Sequence, residues 1–231
     1  MESEVPRTCL VTGGAGFIGC AISSELARRF DRVVALDNLH PQVHPSRIRP
    51  TALDPAVELV IGDVAEPAVW DALLASTAPD LVIHLAAETG TGQSLTEGTR
   101  HANVNVVGTT QMLDALVRHS RIPSRIVLTY SRAVYGEGAW EAEDGILRYP
   151  GQRSRAMLES STWDFPGLRS LPFEATRTEQ RPTSIYGATK LAQEMIINAW
   201  ALSFGVEVGL LRLQNVYGPG QSLSNPYTGI V

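Results

Sequence analysis

Four glycines in eight residues, Thr12-Gly-Gly-Ala-Gly-Phe-Ile-Gly19, follow the first apolar run of the chain and open its first helix-length amphipathic stretch. That placement, at a strand-to-helix junction, is what gives such a run structural meaning. Gly13 allows the tight turn, Gly16 lets backbone amides approach a pyrophosphate, and Gly19 lets helix and strand pack closely. Phe17 and Ile18 then fall in the first helical turn, where the helix N-terminus favours an anion. An ordinary glycine-rich turn is the competing reading.

The rest of the chain extends the pattern. Short apolar runs at 9–11, 33–36, 59–61, 81–85, 126–128 and 206–212 alternate with helix-length stretches at 16–30, 65–76, 100–119 and 186–204. The runs read as strands buried on both faces, and the alternation predicts an α/β fold with a doubly wound parallel sheet spanning residues 1–231. Residues 137–183 break the period, with several Gly, Pro and Arg residues plus Trp140 and Trp163. This insertion is too long for an ordinary connection and reads as a functional loop or a small subdomain. Near 215–231 the chain becomes turn-rich and stops without another strand or helix, which reads as the truncated start of a further lobe.

At 231 residues, 44% hydrophobic and 19% charged, the chain has an ordinary globular composition and enough length for one large core. A net charge of -5 gives no general attraction to nucleic-acid polymers or anionic membranes. Without a charged-then-apolar leader or a stretch near eighteen apolar residues, the expected location is cytoplasmic. Cys9 and Cys20 then read as reduced packing residues.

Asp37 ends the second apolar run, where a carboxylate can accept hydrogen bonds from adenosine ribose hydroxyls and repel a 2′-phosphate, favouring NAD over NADP. It could instead simply start the Asp37-Asn38 turn. Asp63, followed by Val64, occupies the equivalent place after the third run, near an adenine or in a surface turn. Tyr186 and Lys190 stand at i and i+4 of a helix, so an ammonium can lie near the phenol and favour its ionised form. Keeping a phenol ionised near neutrality takes roughly 4 kcal/mol of preferential stabilisation. Ser131 follows a strand, where doubly wound sheets bind ligands, and its hydroxyl can hydrogen-bond a substrate oxygen. His40 and His44 have a zinc-like spacing, but Pro41 and Pro45 argue against a helix there, and no metal site is expected. His84, at a buried strand end, reads as a hydrogen-bonded core histidine.

In order along the chain, the glycine run, Asp37-Asn38-Leu39, His84-Leu-Ala-Ala87, Asn105-Val-Val-Gly-Thr109, Ser131, Tyr186 to Lys190 and Asn215-Val-Tyr-Gly-Pro219 resemble the extended short-chain dehydrogenase/reductase family. The likeness is to its nucleotide-sugar epimerase branch and covers the chain outside the insertion. It implies a Rossmann-like domain binding NAD, the start of a smaller substrate lobe, and a homodimer packed through 100–119 and 186–204. By the same resemblance Ser131, Tyr186 and Lys190 are catalytic, oxidising a sugar C4 hydroxyl to a transient ketone. Leu85, Ala86 and Ala87 pass along the cofactor diphosphate, Asn38 and Val64 belong to its site, and Asn105 supports the nicotinamide side. Glu88 and Thr89 lie near the cofactor or hexose, and Asn215 meets the diphosphate of a nucleotide-sugar substrate.

Related dehydratases carry acids shortly after the serine or threonine position, where this chain has Arg132 and Ala133, so 4-epimerisation leads over dehydration. The segments around 84–93 and 221–229 are most similar to bacterial epimerases acting on dTDP-6-deoxyhexoses. A lysine of UDP-galactose epimerases is missing near Glu88. A reductase or dehydrogenase, and a non-catalytic dinucleotide-binding regulator, remain as alternatives. The insertion's arginines, Arg148, Arg153, Arg155, Arg169, Arg177 and Arg181, read mostly as exposed loop charges.

Overall fold

The computed structural model describes residues 7–221. Most of the predicted lobe start at 215–231 therefore lies outside the described residues. The chain runs β1 (Thr8–Thr12), α1 (Phe17–Arg29), β2 (Arg32–Asp37), β3 (Glu58–Ile61), α2 (Pro67–Ser76) and β4 (Leu81–His84). Next come α3 (Gly98–Ala102), a π-helical turn at Asn103–Val107, α4 (Gly108–Arg118) and β5 (Arg125–Ser131). The insertion supplies β6 (Trp140–Ala142), β7 (Leu147–Arg148), α5 (Arg155–Glu159) and β8 (Leu168–Ser170), before α6 (Ile185–Phe204) and β9 (Glu207–Leu213).

Six strands form one parallel sheet in the order β3-β2-β1-β4-β5-β9. The order reverses between β1 and β4, and ligands of such sheets lie outside the carboxyl ends of the strands at that switch point. The apolar face of α2, α4 and α6 fixes the larger core, in which Trp70, Met112, Leu116 and Ile197 are fully buried against Leu10, Val82 and Ile126. A smaller cluster beneath α1 joins Leu26 to Val33, Ala35, Leu53 and Val57.

Burial on both faces holds for β1 and for β2 beyond Arg32, but not throughout the sheet. The edge strands β3 and β9 contain no fully buried position, and β5 alternates buried with half-exposed residues. An edge strand has a neighbour on one side only, so its apolar run does not guarantee enclosure. The predicted helix over 100–119 is divided by the π-helical turn that carries Asn105. The insertion is not a bare loop: β6 pairs antiparallel with β7 and β8, and Trp140 packs edge-on against Phe165 at 5.0 Å.

Candidate active site

The glycine turn creates close approaches at its two ends. Gly13 has φ +66°, and a Cβ there would lie 2.7 Å from the Ala86 amide nitrogen, so a side chain would drive β1 and the β4 exit apart. A Cβ on Gly19 would lie 2.4 Å from the Gly14 carbonyl oxygen, and one on Gly14 would meet the Ala35 methyl. The tight packing predicted for Gly19 is thus against the glycine turn itself, while Gly14 faces β2. Gly16 is the N-cap of α1 and gives it no side-chain cap, leaving the first helical amides directed at the cleft mouth.

That mouth opens into a cleft at the switch point, walled by Gly13 and Gly16, by Asp37 and Asn38, and by Asp63 and Val64. Leu85, Ala86, Ala87, Glu88 and Thr89 line its opposite side. Phe17 and Ile18 line an adjoining cleft. Asp37 is 9% exposed, and its two carboxylate oxygens accept from the Ala15 and Leu39 amides at 3.1 and 2.9 Å. Each oxygen keeps a second lone pair, so the turn role and a ribose role coexist. Asn38 donates to Asp63 at 3.0 Å, tying the ends of β2 and β3 together. The donor set fits a dinucleotide: uncapped helix amides for a diphosphate, glycines that admit close backbone approach, and an acid at the end of β2.

The histidines discounted as metal ligands stand in this cleft, on a loop. His40 and His44 both line it, and His44 Nε2 lies 4.0 Å from Asp37 Oδ1. Arg100 reaches across to Glu88 at 2.8 Å, to the Gln42 side chain and to His40. This contact network pins the 40–44 loop over the cleft. Sequence spacing alone could not reveal it, because its members are up to 60 residues apart.

A second cleft adjoins the first through Thr89 and contains Ser131, Tyr186 and Asn215. Ser131 ends β5 and caps the following turn, accepting from the Ala133 amide at 3.2 Å. Ser184 caps α6 by accepting from the Gly187 amide at 3.0 Å. A Cβ on Gly187 would lie 2.7 Å from the Ala133 carbonyl oxygen, so glycine lets α6 approach the Ser131 turn closely. Tyr186 consequently stands with Ser131 on the wall of the same cleft. Burial pushes the phenol above its ordinary pKa, and the nearby Ser131 hydroxyl pulls it part of the way back. His101 packs edge-on against the Tyr186 ring at 6.3 Å and meets the Thr89 carbonyl at 3.2 Å.

Lys190 takes a different position from the one its spacing suggests. It is 3% exposed, donates to the Thr129 carbonyl at 3.0 Å and to Gln193 Oε1, and is pushed down to about 7 by burial. Its amine is therefore directed at the sheet, where those oxygens replace lost water. The electrostatic help expected for Tyr186 comes here from Ser131. Gln193 extends the contact, because its amide donates to Thr109 Oγ1 at 2.8 Å. Thr109 in turn donates to the Asn105 carbonyl at 2.7 Å, so its oxygen accepts from His84 Nε2 at 3.0 Å. His84 Nδ1 then accepts from Thr12 Oγ1 at 2.6 Å, and Thr12 accepts from the Ala86 amide at 3.2 Å. Burial, then the Lys190 amine, lower His84 to about 3. A neutral histidine with its proton on Nε2 satisfies every bond in the chain.

Asn105 is fully buried and does not face either cleft. Its side chain accepts from the Glu88 amide at 2.9 Å and donates to the Glu88 carbonyl and Thr189 Oγ1, both at 3.0 Å. It holds the cleft wall against α6, next to Lys190. Cys9 is buried, with its thiol pushed up to about 12, and both cysteines are free. Among the described residues no cluster of three or more His, Cys, Asp or Glu could hold a metal ion, and no helix is long and apolar enough to cross a membrane.

Sheet order and glycine turn define a Rossmann-like dinucleotide-binding domain, with Ser131 and Tyr186 together in the cleft beside the glycine-lined one. Residues 9–230 match the model of the NAD dependent epimerase/dehydratase family, and the chain belongs to that family. It is 63% identical over 225 residues to dTDP-L-rhamnose 4-epimerase of Burkholderia thailandensis, covering 97% of this chain and 62% of that protein. A dTDP-glucose 4,6-dehydratase of Mycobacterium tuberculosis is 32% identical over 92% of this chain and 54% of its own length. The UDP-glucose 4-epimerase of Thermus thermophilus, solved in complex with NAD, superposes with a TM-score of 0.69 at 27% identity, covering 94% of this chain and 58% of that one. The chain thus spans between half and two thirds of the length of these relatives.

Proposed function

We propose that the full protein is an NAD-dependent nucleotide-sugar 4-epimerase acting on a dTDP-6-deoxyhexose. The observation that carries this reading is the placement of Ser131 and Tyr186 together on the wall of a cleft adjoining the glycine-lined one. The 63% identity to a dTDP-L-rhamnose 4-epimerase supports the substrate class. NAD, when bound, supplies reversible two-electron chemistry at a carbon. Tyr186 takes the proton of the sugar C4 hydroxyl and returns it, while Ser131 holds the C4 oxygen. Phe17, Ile18 and the Leu85 to Ala87 segment hold the diphosphate of NAD, Asp37 its ribose, and Asn38, Asp63 and Val64 the adenine end. Lys190 and Asn105 support the nicotinamide side, Lys190 after turning from its contacts with Thr129 and Gln193. Glu88, Thr89 and Asn215 complete the substrate contacts.

Dehydration is disfavoured by Arg132 and Ala133. Glu137, an acid in the same cleft, is engaged by Arg153. We also propose a cytoplasmic homodimer packed through α4 and α6, supported by exposed Val117 on α4 and by Met195 and Leu202 on α6. A monomer mass in light scattering would rule that assembly out. To test the activity, full-length protein with NAD is incubated with dTDP- and UDP-hexoses and followed by NMR. C4 inversion of a dTDP-6-deoxyhexose is expected, falling roughly 100-fold or more in Tyr186→Phe with NAD binding retained. An unchanged sugar panel would refute the reading.

A further inference from the structure

The insertion delivers an ion pair to the cleft that holds Ser131 and Tyr186, and the backbone is shaped to place it there. Glu137 lies between two glycines of positive φ, Gly136 at +58° and Gly138 at +75°. A Cβ on Gly136 would lie 2.2 Å from the Arg181 carbonyl oxygen, and one on Gly138 would lie 2.3 Å from the Phe173 ring. Two departures from ordinary backbone flanking one residue fix where its side chain points. Glu137 and its partner Arg153 both line the cleft, each with a side chain 24% exposed.

The pair is anchored from behind. Trp140 Nε1 donates to the Glu137 carbonyl at 2.9 Å, and Arg153 Nε donates to the Trp163 carbonyl at 2.7 Å. The guanidinium also lies over the Phe165 ring at 5.3 Å, and that ring packs on Trp140. Arg153 Nη1 donates to Glu137 Oε2, leaving carboxylate lone pairs and guanidinium N–H groups to meet a ligand.

We propose that the Glu137–Arg153 pair reads hydroxyl groups of the hexose ring and thereby sets sugar specificity. An acceptor and a donor held side by side suit adjacent hydroxyls, of which one donates and the other accepts. Because the pair is neutral overall, it does not repel an anionic nucleotide-sugar as a bare carboxylate would. This assignment rests on the nucleotide-sugar reading, and it gives the insertion a purpose that the parallel sheet does not require.

The test is calorimetric binding of dTDP-L-rhamnose and of dTDP alone to full-length wild-type protein, Glu137→Gln, Glu137→Ala and Arg153→Met, with melting temperatures measured alongside. The expected result is a roughly 10- to 100-fold weaker Kd for the sugar nucleotide in the Glu137 variants, with dTDP binding and melting temperature unchanged. Equal loss for both ligands, or a fall in melting temperature that accounts for the loss, would make the pair a structural strut and overturn the proposal. So would unchanged sugar binding, or wild-type protein that binds the sugar nucleotide no better than dTDP. Turnover is measured separately: absent epimerisation by wild type refutes the proposed activity, whereas the ratio of the two affinities reports on the pair.

Discussion

Replacing Lys190 with methionine isolates the cost of burying an amine beside the cofactor cleft. Burial lowers the amine from 10.5 to about 7, and at 3% exposure there is little solvent screening to discount. The displacement corresponds to about 5 kcal/mol. Below pH 7 the amine is protonated in both folded and unfolded chains, so the burial penalty is fully present. Between pH 7 and 10.5 the unfolded chain holds a proton that the folded chain lacks, and folding stability rises with pH. Above 10.5 the penalty is gone. Lys190→Met removes this dependence, while leaving the Thr129 carbonyl and Gln193 Oε1 without their donor at a cost of about 1–3 kcal/mol each. The absolute difference between the two proteins mixes these effects, but its pH dependence does not. The charged or titratable neighbours are His84 from β4, which is neutral across this range, and Tyr186 on α6, whose phenol is shifted upward. Urea unfolding of both proteins from pH 6 to 10.5 at constant ionic strength should show wild type gaining about 5 kcal/mol relative to the variant. A difference that stays flat over that interval would refute the buried, neutral-shifted lysine.

His84 carries the opposite end of the pH scale. With its pKa lowered from 6.5 to about 3, its contribution is fully present above pH 6.5 and is lost as pH falls toward 3. His84→Gln should flatten the acid limb by about 5 kcal/mol in acid titrations followed by circular dichroism, while costing about 1–3 kcal/mol at pH 7 through a lost bond to Thr12 or Thr109. Gly13→Ala meets both a φ of +66° and the Ala86 amide at 2.7 Å. It should lower stability by at least about 1–2 kcal/mol and reduce the NAD retained on purification, with the released nucleotide assayed enzymatically.

Much of the parallel sheet was legible because its strands follow local rules. The runs around Cys9, Val34 and Val82 are short, apolar and separated by helix-length stretches, and five neighbouring strand pairs lie as alternation predicts. Edge exposure at β3 and β9 was not legible, since it depends on which strand lacks a neighbour. The insertion was recognisable only as an interruption: its strands are two or three residues long and are held by Trp140 and Phe165. Among site residues, Gly13, Asp37 and Ser131 could be placed from their position at strand ends. His44 near Asp37 and Glu137 beside Arg153 could not, because long-range folding creates those neighbours.

The glycine run and the alternating apolar stretches by themselves determined a doubly wound, dinucleotide-binding fold, since turns and helix faces obey short-range geometry. The direction of the Lys190 amine was decided only in three dimensions. An ammonium removed from water takes the nearest oxygens, and the packing of α6 on β5 makes those the Thr129 carbonyl and Gln193. The same holds for Glu137, whose carboxylate lines the cleft of Ser131 and Tyr186 because two glycines of positive φ and a small antiparallel sheet hold it there.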